Sequence, residues 1–166
     1  MIVKLPDAEQ LVSALAAQIK PRFDSSTALI GIHTGGAWIA QKLQQQLGLN
    51  TPLGLLDISF YRDDFARIGL HPQVKPSDIP FDVEGRRIIL VDDVLYTGRT
   101  VRAAMNELFD YGRPASIELA VLIDRGGREL PVFARYTGTT IELAENQNIE
   151  LKKDKEGRLS LHLNQV

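Results

Sequence analysis

Apolar and polar positions along the chain alternate between two periods, and the switches between them mark out the elements. Asp7 is placed to cap a helix with Gln10 three residues on, and Leu11, Leu15 and Ile19 recur at helical spacing until Pro21 interrupts them. This predicts an amphipathic outer helix. Residues 28–33 read as a short buried strand, broken by Thr34-Gly35-Gly36, and a second helix follows over about 37–47, closed by Gly48. Residues 53–61 predict the next strand. From Arg62 to about residue 86 the chain carries Pro72, Pro76 and Pro80 and few core-forming runs, which predicts a flexible loop serving as a lid or a projecting arm. Residues 87–91 form a strongly apolar strand that runs into Asp92-Asp93, and a helix over 101–111 closed by Gly112 comes next. A buried strand over 116–123 then ends in Asp124-Arg125-Gly126-Gly127. Beyond Pro131 the pattern turns to short strands, with a hairpin of 149–153 and 159–163 around Lys155-Glu156-Gly157. They predict a small hood over about 131–166.

Strands alternating with helices in this way define an α/β class with a parallel sheet and helices on both faces. Its 166 residues fit one domain. The 44% hydrophobic and 24% charged residues are globular proportions, which excludes a disordered or fibrous chain. The longest apolar runs, 88–91 and 119–123, fall far short of the roughly 20 residues that span a bilayer, so no membrane association is expected. Residues 1–6 lack the apolar core of a secretory signal, and a cytoplasmic location is the expectation. The absence of Cys removes disulfides, thiolate metal sites and cysteine nucleophiles. Nineteen basic against 21 acidic side chains leave a net charge of −2, without a general positive field to draw the molecule onto nucleic acid.

In a parallel sheet, ligands bind at the carboxyl ends of the strands. Three polar, glycine-bearing turns fall there: 34–36, 92–100 and 124–127. Adjacent carboxylates at the end of an apolar strand are costly unless a partner meets them. Vicinal ribose hydroxyls fit both acids, and a magnesium ion held through oxygen fits beside them. Tyr96-Thr97-Gly98-Arg99-Thr100 leads into a helix whose free amides and dipole favour a phosphate, with the two threonine hydroxyls as further donors. The alternative is an ordinary strand-to-helix turn in which Asp92 or Asp93 caps the helix, although one acid would suffice for that.

The run Arg87-Ile88-Ile89-Leu90-Val91-Asp92-Asp93-Val94-Leu95-Tyr96-Thr97-Gly98-Arg99-Thr100 resembles the phosphoribosyl-pyrophosphate (PRPP) motif of type I phosphoribosyltransferases, in the form carried by the PyrR family. The stretches 57–64 and 122–131 are similar to the same family. The resemblance implies a type I phosphoribosyltransferase fold with a small β hood. It also implies an enzyme that converts uracil and PRPP to UMP and pyrophosphate, and a role in attenuating pyrimidine genes through mRNA. Asp92 and Asp93 would bind the ribose hydroxyls, directly or through the Mg2+ that PRPP carries, and Val94, Leu95, Tyr96, Thr97, Gly98, Arg99 and Thr100 would wrap the 5-phosphate. Thr34, Gly35 and Gly36 would cradle the pyrophosphate, Arg62 would close over it, and Arg125 with Ile149 would line the uracil pocket. A homodimer or higher homo-oligomer is also implied.

Two departures from the family stand out. Where many members carry Arg, this chain has Gly35, which removes one contact to the donor and predicts weaker donor binding that an arginine would restore. Positions that are basic or polar in RNA-binding members align with Ala16, Ala17, Gly127, Phe133 and Thr139, which argues against tight RNA binding there. Lys20 with Arg22, and Lys152, Lys153, Lys155 and Arg158, could form other basic patches, although the second is read first as a solvated hairpin face. Trp38 and Phe109 read as helix-to-sheet packing, His33 as a strand-end residue with ligand contact at the neighbouring turn as the alternative, and neither His71 nor His162 has metal-ligand spacing. Two alternatives stay open: a nucleotide-sensing RNA regulator with vestigial catalysis, and a purine-specific transferase using the same donor motif.

Overall fold

The structure, a computed structural model, describes residues 4–58 and 77–166. Helix α1 (Ala8–Ile19) is capped by Asp7, whose side chain accepts from Glu9 N at 2.9 Å, one residue short of the predicted Gln10 partner. Pro21 ends it, and the chain tightens into a 3-10 turn over Lys20–Arg22. Strand β1 (Thr27–Ile32) is buried throughout and leads to helix α2 (Gly35–Leu47), which starts two residues earlier than the pattern predicts. Strand β2 (Gly54–Leu56), strand β3 (Arg87–Leu95), helix α3 (Arg99–Leu108) and strand β4 (Ser116–Asp124) follow. Strand β5 (Tyr136–Thr140) and the antiparallel pair β6 (Gln147–Lys153) and β7 (Leu159–Gln165) complete the chain.

Strands β1 to β5 form one parallel sheet in the order β2-β1-β3-β4-β5. Alternate residues of the central strands supply two cores. Leu29, Ile89, Val91, Ala120 and Leu122 pack beneath α1, α2 and the hairpin, while Ile30, Leu90, Leu119 and Val121 pack against α3. Each buried aliphatic side chain of this kind contributes about 1.5–3 kcal/mol. The hairpin is tied to α1 by Leu159 N donating to Glu9 Oε2 at 2.7 Å and by an Arg158–Asp7 ion pair at 3.1 Å.

Three predicted boundaries move. The hood does not begin near residue 131, because β5 pairs in register with β4 (Ala120 opposite Tyr136) and extends the main sheet. Only the β6–β7 hairpin stands apart. Nor does the loop run to residue 86: Leu55 and Asp78 exchange backbone hydrogen bonds at 2.7 and 2.8 Å, Val83 is buried, and Gly85 N donates to Arg113 O at 2.9 Å. The rest of that segment, with Arg62 and His71, lies outside the described residues. Helix α3 ends at Leu108, so Phe109 becomes its C-cap and stands 56% exposed instead of packing on the sheet.

Candidate active site

From β1 the chain proceeds outward through α2 to β2, and from β3 it proceeds the other way through α3 to β4. The carboxyl ends of β1 and β3 therefore flank the point where the winding reverses, the usual place for a ligand crevice. Pairing between these strands stops at Gly31 opposite Val91, whereas β3 stays paired with β4 as far as Leu95 opposite Asp124. Asp92 and Asp93 thus belong to the strand and do not follow its end at Val91, as the apolar pattern suggests. Beside this unpaired edge lies the turn 34–36, entered through a cis peptide bond between His33 and Thr34. It rests directly on β3: a Cβ at Gly36 would stand 3.0 Å from Asp92 Cα and closer still to Val91 O. His33 N donates to Leu56 O at 2.9 Å, extending the β1–β2 pairing by one backbone bond.

Asp92 is 4% exposed and its Oδ1 accepts from Asp93 N at 2.9 Å, while Asp93 Oδ1 accepts from Val94 N at 2.8 Å. Neither acid caps α3. The N-cap of that helix, Gly98, adopts φ +96° and offers no side chain, while Thr97 Oγ1 accepts from Arg99 N at 3.2 Å; α2, with Thr34 as its N-cap, has no side-chain cap either. Two helix N-termini whose N-cap residues make no side-chain bond therefore point the positive ends of their dipoles at the same crevice.

The β3–α3 loop is held from the side by residues 124–130. Arg125 N donates to Leu95 O at 3.1 Å, and Glu129 N and Leu130 N both donate to Thr97 O, at 2.9 and 3.1 Å. Arg128 bonds Tyr96 O at 3.0 Å and Asp124 at 2.7 Å, and Arg99 pairs with Glu129 at 2.8 Å. Arg128's donation, helped by Gly126 N–H, holds the Asp124 carboxyl below its usual range against the opposing effect of burial. The Arg125 guanidinium stacks on the Tyr96 ring at 3.9 Å, and its buried Nε has no hydrogen-bond partner among the described residues. Gly127, at φ +76°, leaves room for that ring. Sequence reasoning assigned no role to Arg128 or Glu129, although both stand in a stretch that matches the family.

On the other side, Thr34, Gly35, Trp38 and Asp93 face hairpin residues Asn148 and Glu150 across an opening. Ile149 also lines it, yet at 9% exposure its side chain serves the core, which leaves chiefly its backbone for a ligand. Arg125 belongs instead to the Tyr96 side of the β3–α3 loop. Trp38 packs against the first core as expected and also borders the opening, with Lys153 Nζ 5.2 Å above its ring.

Among the aligned RNA positions, Ala16 is buried in the first core and presents no surface. Arg22, Arg87 and Arg135 converge on Glu118 at 3.4, 3.8 and 2.8 Å, at the amino end of the sheet. Two of the hairpin's basic residues are engaged locally, Lys153 by Trp38 and Arg158 by Asp7, and His162 pairs with Ser160 at 2.9 Å. Among the described residues no helix is long and apolar enough to cross a membrane.

Residues 1–154 match the family model described as the phosphoribosyl transferase domain. The fold agrees: a hypoxanthine-guanine phosphoribosyltransferase structure from Bacillus anthracis superposes with a TM-score of 0.66 at 23% identity, covering 85% of each chain. With the crevice at the switch point, these observations define a type I phosphoribosyltransferase. Within that class the chain is 56% identical over 143 residues to the Bifunctional protein PyrR of Nitrosococcus oceani, covering 85% of this chain and 81% of that protein. Against the Bifunctional protein PyrR of Pseudomonas fluorescens it is 50% identical over 153 residues, covering 90% and 91%. The chain belongs to the PyrR family.

Proposed function

We propose that this enzyme transfers the phosphoribosyl group of PRPP to uracil, giving UMP and pyrophosphate. The observation that carries the reading is the pairing of a strand-borne Asp92-Asp93 dyad with two helix N-termini whose N-cap residues make no side-chain bond, around one crevice. A diol beside two anionic groups is the complement of that arrangement. Asp92 and Asp93 take the ribose hydroxyls, residues 94–100 the 5-phosphate and residues 34–36 the pyrophosphate. The Arg125–Tyr96 stack and the backbone at Ile149 border the base. Arg62 is assigned to the departing pyrophosphate on the resemblance of its segment.

In the transfer, the bond between ribose C1 and the pyrophosphate oxygen breaks as the bond from uracil N1 to C1 forms, and the N1 proton is released. No covalent step falls to the protein. It orients the two reactants, presents positive helix ends to the leaving group, and excludes water that would hydrolyse the donor. Carboxylate oxygens are the donors magnesium prefers, so Asp92 and Asp93 fit beside the ion. When bound, it would supply charge neutralisation at the leaving pyrophosphate.

Conversion of radiolabelled uracil to UMP, with hypoxanthine as a parallel acceptor, tests the proposal. Uracil-specific product is expected; product from hypoxanthine alone would assign the purine reading. A second reading, an RNA-dependent regulator, is favoured by the bifunctional name of the relatives and by the Arg22–Arg87–Arg135 cluster. A low-salt RNA titration that stays flat with and without UMP removes it. Self-association is read by sedimentation.

A further inference from the structure

Gly35 and Asp93 occupy each other's space. A Cβ at residue 35 would stand 2.8 Å from Asp93 Cγ and 3.0 Å from its Cβ, with Oδ2 nearer than either. The glycine is not required by its backbone, since Gly35 is absent from the positions with positive φ. What it supplies is room. Asp93 uses that room while its other oxygen accepts from Val94 N at 2.8 Å. Gly36 differs in kind: a Cβ there would meet the β3 backbone at Val91 O, which cannot yield without moving the strand.

We infer that Gly35 is a positioning residue whose missing side chain forms the seat of the Asp93 carboxylate. The inference rests on the assignment of Asp93 to the ribose of PRPP. It reverses the expectation that an arginine here would strengthen donor binding. In the geometry of this chain a Cβ at this position must first displace the Asp93 carboxylate and draw it away from Val94 N.

The test is a cycle of wild type, Gly35→Ala, Asp93→Ala and the double variant. PRPP and UMP affinities are read from the fluorescence of Trp38, the chain's one tryptophan, which borders the same opening. Melting temperature and the KM for PRPP are measured alongside. Gly35→Ala is expected to weaken PRPP and UMP about five- to tenfold, the scale of one side chain forced off its rotamer and one stretched hydrogen bond. Its melting point should stay at the wild-type value. Asp93→Ala should cost more, and adding Gly35→Ala to it should cost nothing further, because the clash is gone. Undiminished affinity in Gly35→Ala, a penalty that persists in the Asp93→Ala background, or a loss of melting temperature shared by both backgrounds would each overturn the inference. Failure of wild type to make UMP would instead count against the proposed reaction, while PRPP binding still reads the coupling.

Discussion

Both ends of the parallel sheet hold carboxylates, and they are satisfied in opposite ways. At the amino end Glu118, with its side chain 12% exposed, meets Arg22, Arg87 and Arg135 and accepts from the Tyr136 hydroxyl at 3.2 Å. Tyr136 in turn accepts from Arg22 Nε at 3.0 Å, and this bond raises the arginine's pKa. At the carboxyl end, Asp92 and Asp93 are oriented by the backbone amides of the residues that follow them, and Asp93 has no ion pair among the described residues. Amide donors orient a carboxylate and leave its charge for something else to neutralise; three guanidinium groups neutralise it outright. The difference separates an acid that holds the fold together from Asp93, whose charge is left for a cationic or hydroxylated ligand.

The largest expected effect comes from removing the Asp92-Asp93 pair. Asp92→Asn with Asp93→Asn keeps the shapes and the acceptors for Asp93 N and Val94 N, so the melting temperature should change by no more than about 2 °C. Transfer to uracil should fall about a thousandfold or more, the scale on which preorganised electrostatic groups act. Full activity in the double variant, measured by steady-state UMP formation, would falsify the site assignment. Next in size is the opposite end. Glu118→Gln leaves three arginines without their shared anion, and because each is partly exposed the cost is about 1–2 kcal/mol. Thermal melting should drop by roughly 3–6 °C while kcat is unchanged. A loss of turnover without a loss of stability would erase the distinction between the two ends.

Much of this was legible in the chain itself. Strand and helix order, the parallel sheet and the placing of 34–36 and 92–100 on one rim all follow from period changes and glycine punctuation, because those features are local. What stayed hidden depends on partners distant in sequence. Strand β3 continues through Asp92 and Asp93 because β4 goes on pairing with it, and the apolar pattern, which stops at Val91, carries no trace of that. Likewise β5, with the sequence Tyr-Thr-Gly-Thr-Thr, looks like a polar hood strand until its register with β4 is known. The Gly35–Asp93 contact joins residues far apart in the chain, so from sequence the glycine shows only as a missing arginine.

Asp124 allows a finer test, because it lies at the carboxyl end and is nonetheless satisfied as Glu118 is, by Arg128 at 2.7 Å together with Gly126 N at 3.0 Å. If charge pairing marks a structural acid, Asp124 should act on stability more than on chemistry despite its address. Its pKa is lowered in the folded state by Arg128, so its contribution is fully present above the unfolded value of 3.8 and is lost as pH falls through the folded value. Asp124→Asn should therefore cost somewhat under about 1 kcal/mol at neutral pH, the pair being partly exposed. The difference from wild type should close as pH drops below 3.8, which denaturant midpoints at neutral and at acid pH will show. The KM for uracil should rise no more than about twofold, since Arg125 keeps its stacking on Tyr96. A stability gap that does not vary with pH would mean that the ion pair is not what the carboxylate contributes. A tenfold or greater loss of kcat/KM at unchanged stability would mean that position on the rim outweighs pairing, and the contrast between the two ends of the sheet would then rest on address alone.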